Sequence, residues 1–205
     1  MPTGPAARIM DAVMHPLPPV LTGGPPALTV LIGMMPAWKG IPLAAAPGIM
    51  AANTATEATL QALETTAKVA EAAAVAAAGT PGAPAAVAAA TAARLAAETA
   101  KATSLATNTA SIAAAAATGA SMHACTQPWP IPPHGPGVVI DGSATVMIEK
   151  SPACRLGDTI IEAIGPPNKI MMGCMTVIIG DTGMGGTQGA ALSAAAASGA
   201  ACVET

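Results

Sequence analysis

The sequence predicts a mostly β fold interrupted by an inserted α-helical hairpin, and three observations carry that expectation. Three short segments rich in β-branched residues resemble one another: Leu28-Thr29-Val30-Leu31-Ile32-Gly33, Ala144-Thr145-Val146-Met147-Ile148-Glu149 and Met175-Thr176-Val177-Ile178-Ile179-Gly180. Such residues suit a pleated, half-buried surface, so each segment reads as a strand. A long run dominated by Ala and Thr, 49–120, separates the first strand from the second. Most of the 21 Gly and 20 Pro lie outside that run, which implies many turns in the flanking regions. Removing an insertion of about 80 residues brings the three strands to nearly equal spacing, as expected of a three-fold internal repeat. The chain therefore divides into a β body, 1–48 and 121–186, the insert 49–120, and a short C-terminal tail 187–205 of helical composition.

The insert reads as two helices, 49–78 and 85–117, because Ala is the best helix former. They are separated by Gly79-Thr80-Pro81-Gly82-Ala83-Pro84, a strong turn signal. Leu60, Leu63, Ala67, Ala70 and Ala74 form an apolar stripe, and Glu57, Glu64 and Glu71 are expected on the opposing face. Glu64 with Lys68, and Arg94 with Glu98, stand at i,i+4 and are expected to pair on the surface. Stretches 72–93 and 102–122 carry no charge. A membrane span needs about 20 predominantly apolar residues. The first stretch is split by the turn, and the second is diluted by Thr, Ser and Asn. A water-exposed hairpin packed on itself or on a partner is the preferred reading.

The core must be built without aromatic bulk. There is no Phe or Tyr, and Trp38 and Trp129 are the sole aromatics. Charged residues make up 9%, against about a quarter in ordinary soluble domains. The net charge is −3 and no Lys/Arg cluster exists, which speaks against nucleic acid as a partner. No basic-then-apolar leader opens the chain, so synthesis is expected in the reducing cytoplasm, where Cys beside His points to metal rather than disulfides.

All three His lie in the β-like regions. Three imidazoles and one thiolate make a tetrahedral Zn²⁺ set, and a closed four-ligand site is structural. The expected ligands are His15, His123, His134 and Cys174. Cys174 is chosen because it immediately precedes the third strand. Cys125 stays open as the alternative thiolate, two residues after His123. Cys154 reads as a small buried residue, and Cys202 falls in the tail. No phosphate loop, Ser-His-Asp arrangement or HExxH is present, so no catalytic residue is assigned and the chain is not expected to be an enzyme. No general base stands near the ligands, which leaves a zinc hydrolase a remote reading.

Three segments then carry a family resemblance: Pro5-Ala6-Ala7-Arg8, Met35-Pro36-Ala37-Trp38-Lys39-Gly40 and Ser151-Pro152-Ala153-Cys154-Arg155-Leu156-Gly157-Asp158. They resemble the Pro-Ala-Ala-Arg motif of the PAAR-repeat proteins. The opening Ala6-Ala7-Arg8-Ile9-Met10-Asp11-Ala12-Val13-Met14-His15 is similar to the prePAAR motif of the same family. The sequence departs from the pattern at Trp38-Lys39 and at Cys154. The resemblance implies a conical PAAR-type β-domain with three pseudo-repeats and one structural zinc near its point. It also implies a role: capping and sharpening the trimeric VgrG-like spike of type VI secretion or a related contractile injection apparatus. The chain would be made in the cytoplasm and delivered at the apparatus tip, meeting membrane only during penetration, and the hairpin would carry an effector or chaperone. The alternative is a delivered effector fragment whose insert is a chaperone-bound membrane translocation segment.

Overall fold

The computed structural model describes residues 3–15, 19–128 and 133–180. The expected tail, 187–205, with Cys202, and Trp129 lie outside the described residues. Strands β1 (Thr3–Ala6), β2 (Gly23–Gly24), β3 (Leu31–Ile32) and β4 (Met35–Pro36) come first. Helices α1 (Ala46–Ala76) and α2 (Ala83–Ala116) follow. The chain continues with β5 (Met122–Pro128), β6 (Pro133–Val139), β7 (Met147–Ile148), β8 (Ser151–Pro152), β9 (Thr159–Glu162), β10 (Asn168–Lys169) and β11 (Cys174–Gly180).

The fold class is mixed α/β, which corrects the expectation of a mostly β cone. Among the described residues, two helices of 31 and 34 residues stand beside four small antiparallel sheets, one of five strands and three of two. The physical reason lies in the turns. The first two β-branched segments make only two-residue ladders, because the chain reverses at once through Gly33-Met34 and Glu149-Lys150, all four at positive φ. The third segment pairs instead with the N-terminal strand, β11 against β1.

The three Pro-Ala segments meet in a closed ring of backbone hydrogen bonds. Ala7 N donates to Cys154 O (2.8 Å), Cys154 N to Trp38 O (3.2 Å), and Trp38 N to Ala7 O (2.9 Å). Outside it, Leu156 N donates to Pro5 O, Ile9 N to Pro36 O and Gly40 N to Pro152 O. Successive residues in extended chain point to opposite faces. Ala6, Ala37 and Ala153 accordingly pack with Ile32, Ile148 and Ile179 on one side. Ala7, Trp38 and Cys154 pack with Val13, Leu21, Val139, Ile160 and Ile170 on the other. Ala6, Ala37 and Ala153 on one face, with Ala7 and Cys154 on the other, allow close backbone approach, and the fully buried Trp38 fills the second face.

The helices pack antiparallel through the expected stripe, with Leu60 and Ala67 buried against α2. The expected charge pairs are replaced. Glu64 bonds Lys101 and Arg94 across the hairpin, and Arg94 also bonds Glu71. Glu64 lies four residues beyond Leu60, only about 40° around the helix, so the glutamates border the seam rather than oppose it. Burial alone would lower the Lys101 ammonium; its bonds to Glu64 and Glu98 reverse that and raise it. Among the described residues no helix is long and apolar enough to cross a membrane.

Candidate metal centre

The arginine turns position the candidate site. Asp11 accepts from Arg8 N at 2.7 Å and pairs with its guanidinium at 2.8 Å. Asp158 does the same for Arg155, at 2.8 Å and 3.1 Å. Each carboxylate thus closes its own turn, which sends the chain back with a fixed phase. Val13 and Ile160, two residues beyond the aspartates, both enter the core below the ring. Two residues further stand His15 and Glu162. The second of these was not identified from sequence, yet Arg8 to His15 and Arg155 to Glu162 span the same number of residues. That repeat phase is the signal that would have found it.

Strand β5 supplies the next two donors. Burial alternates along it, so His123 and Cys125 share the inner face. His134 arrives on the adjacent β6. The ligand atoms of His15, His123, Cys125 and Glu162 all lie within 4.8 Å of one another, a group that could hold a metal ion. His134 joins through the carboxylate: its Nδ1 donates to Glu162 Oε2 at 2.5 Å. The structure therefore gathers all three predicted histidines, with His134 one step removed.

Cys174 lies elsewhere, which corrects its assignment. It faces Ala6 across the β1–β11 pair and packs with Ala27, Ile32 and Ile179. Each repeated segment carries a small buried residue two positions before its Thr: Ala27, Ser143 and Cys174. Cys174 is the third member of that packing set. Its thiol is held below the ordinary value by the Thr176 hydroxyl and backbone N–H, with the Arg8 guanidinium adding to the effect. Cys154 is a buried ring residue whose thiol burial pushes well up.

Protons alone do not satisfy the cluster. His123 Nδ1 accepts the Thr22 N–H at 3.4 Å, so the neutral ring carries its proton on Nε2. That atom faces His15 Nε2 at 3.2 Å, and His15 Nε2 stands 2.8 Å from Glu162 Oε1. With a proton, His15 Nε2 donates to the carboxylate but meets the His123 proton head-on. Without one, its lone pair faces a carboxylate oxygen. His15 Nδ1 is buried and makes no hydrogen bond among the described residues. A cation among these atoms takes the place of the proton on His123 Nε2 and removes the conflict; the ring then carries its proton on Nδ1, and the long 3.4 Å bond from Thr22 N–H is given up. Tetrahedral Zn²⁺ at its usual nitrogen distances sets donors about 3.4 Å apart; the separations here are 2.8, 3.2 and 4.0 Å.

Electrostatics favours the ligating forms. Burial, with the neighbouring His15, pushes His123 down to about 4, so it is neutral near pH 7. Burial alone would raise the Glu162 carboxyl. The His134 hydrogen bond and the fields of His15, His134 and His123 outweigh it and bring it below its ordinary value.

Comparison with protein-family models, with curated proteins and with solved structures gives no match.

Proposed function

We propose that this chain is a non-enzymatic, zinc-stabilised tip protein that caps the trimeric VgrG-like spike of a contractile injection apparatus. The observation that carries the reading is the ring with its three exposed two-stranded faces. Leu31, Met147 and Ile178 occupy matching register positions, opposite Pro36, Pro152 and Pro5, and are 62%, 53% and 58% exposed. Leu28, Met34 and Met175 surround them and are exposed as well. Single exposed apolar residues are ordinary, but a set repeated around one ring is a docking surface for a partner of three-fold symmetry.

Zinc suits the donor set of imidazole, thiolate and carboxylate, with Cys125 as the sulfur ligand. Bound there, it cross-links the 15, 123–125 and 162 segments of a body with little core volume. The translocation-segment alternative has less support, because the hairpin seam buries Lys101 against Glu64.

The test is to mix the full chain with its trimeric spike protein and measure the mass of the complex by light scattering. One chain per trimer is expected. Leu31→Asp, Met147→Asp and Ile178→Asp together should abolish the complex while leaving the zinc content unchanged. A wild-type chain that stays separate from the trimer sinks the reading.

A further inference from the structure

We infer that the base of the helical hairpin sets the geometry of the metal centre, with Asn53, Glu57 and Asn108 as positioning residues. The inference rests on the metal reading above and concerns how the ligands are held.

The segment 162–165 links the two parts. Its side-chain face carries Glu162. Its backbone is gripped by the hairpin. Asn53 Nδ2 donates to both Glu162 O and Gly165 O, each at 3.3 Å, although Asn53 is almost fully buried. Asn108 Nδ2 donates to Ala163 O at 2.7 Å. Gly165 N donates to the Glu57 carboxylate at 2.6 Å. Side chains of both helices thus hold three of the four residues 162–165 by their peptide groups.

The grip reaches the donors by two routes. One is Glu162 itself, whose two oxygens bond His15 and His134. The other is Gly165, with φ +100°, whose backbone lies against the His134 imidazole; a Cβ there would stand 2.8 Å from Nε2. An alanine at that position would displace the ring. The contact leaves little slack. The cavity between the helices and β9, lined by Ile49, Asn53, Asn108, Ile112, Ile161 and Glu162, measures about 10 Å³, at the lower limit for one water. A shift of the helix base is therefore passed to Glu162 and not absorbed. Partners that orient a ligand commonly affect metal affinity by about 10–100-fold.

Coupling of this kind is reciprocal. If the helix base strengthens metal binding, bound metal must hold the helix base more firmly. The effect should be confined to the turns around Asn53–Leu60 and Leu105–Ile112 and absent from the distal end near Val75 and Val87.

The test measures Zn²⁺ affinity of the full chain by competition with a chromogenic chelator, alongside the absorption spectrum of the Co²⁺-loaded protein. Glu57→Ala, and Asn53→Ala combined with Asn108→Ala, should each weaken Zn²⁺ binding by about tenfold or more and alter the Co²⁺ bands. Glu57→Gln, which keeps an acceptor for Gly165 N–H, should stay near wild type. Lys101→Met, on the same hairpin but away from its base, should leave affinity unchanged. Within the hairpin, amide exchange should slow on Zn²⁺ addition at the helix base and not at the distal end. Should the double variant fail to fold, the Glu57 pair carries the comparison. Wild-type affinity in the base variants overturns the inference, and so does equal weakening by Lys101→Met. A wild-type chain that takes up neither Zn²⁺ nor Co²⁺ overturns the metal reading itself, a result distinct from either.

Discussion

The ring and two of the donors, His15 and Glu162, come from the same repeated stretch, and the two ends of that stretch differ. In the ring, equivalent positions stay equivalent: Ala6, Ala37 and Ala153 on one face, Ile32, Ile148 and Ile179 beside them. Seven residues past the basic residue of each segment, the equivalence ends. Arg8 leads to His15 and Arg155 to Glu162, while Lys39 leads to Ala46, where α1 begins. One repeat phase yields a base, an acid and the start of an insertion. On the face of Ala6, Ala37 and Ala153, packing around a tight axis admits only small side chains and keeps the copies alike, while the opposite face differs, with Trp38 beside Ala7 and Cys154. A metal centre needs different donors, so the copies diverge where the chain leaves the axis.

The sharpest way to break this comparison is to remove the metal. An occupied site at a thousandfold excess over its dissociation constant contributes about 4 kcal/mol. Chelation should lower the unfolding midpoint accordingly, measured by thermal denaturation with and without chelator. The ring variants below should respond to chelation as wild type does.

Overfilling the ring is next. Ala153→Leu should destabilise by about 1–3 kcal/mol, because the position is fully buried among backbone strands. Urea unfolding checks it, and the zinc content of the folded fraction should stay unchanged. Equal sensitivity of zinc content and stability would mean that the ring and the cluster are one unit.

Lys101→Met should cost less than Ala153→Leu by the same measurement, since Glu64 keeps Arg94 and the methionine still fills the seam. The smallest effect concerns Glu149, which is held down to about 2 first by its bond to Lys39 and then by Thr29. A carboxyl lowered in the folded state stabilises above its ordinary value near 4.5 and loses that as pH falls toward 2. Unfolding of Lys39→Met should show a shallower loss of stability over that window than wild type.

The helical hairpin was legible because Ala content, the turn signal and the seam residues Leu60 and Ala67 agree. Its ends were less so: α1 begins at Ala46, before the composition changes, since Pro47 is acceptable in a first turn. The share of β structure was overestimated, because β-branched composition marks a segment as extended but not how long its ladder runs. Three histidines were legible as a set from their scarcity. Cys174 was misplaced because its position just before the third strand was read as a ligand position, when its counterparts there are the packing residues Ala27 and Ser143. Cys125 was visible as His-x-Cys, and strand alternation was enough to put it on the His123 face. Glu162 was hidden as one carboxylate among several; only counting from Arg155 reveals it as the counterpart of His15.

The most direct test of the account is the absorption spectrum of the Co²⁺-substituted full chain, compared between Cys125→Ser and Cys174→Ser. The account predicts a thiolate-to-cobalt charge-transfer band in wild type that is lost in Cys125→Ser and kept in Cys174→Ser. A band that survives in Cys125→Ser and disappears in Cys174→Ser would contradict it.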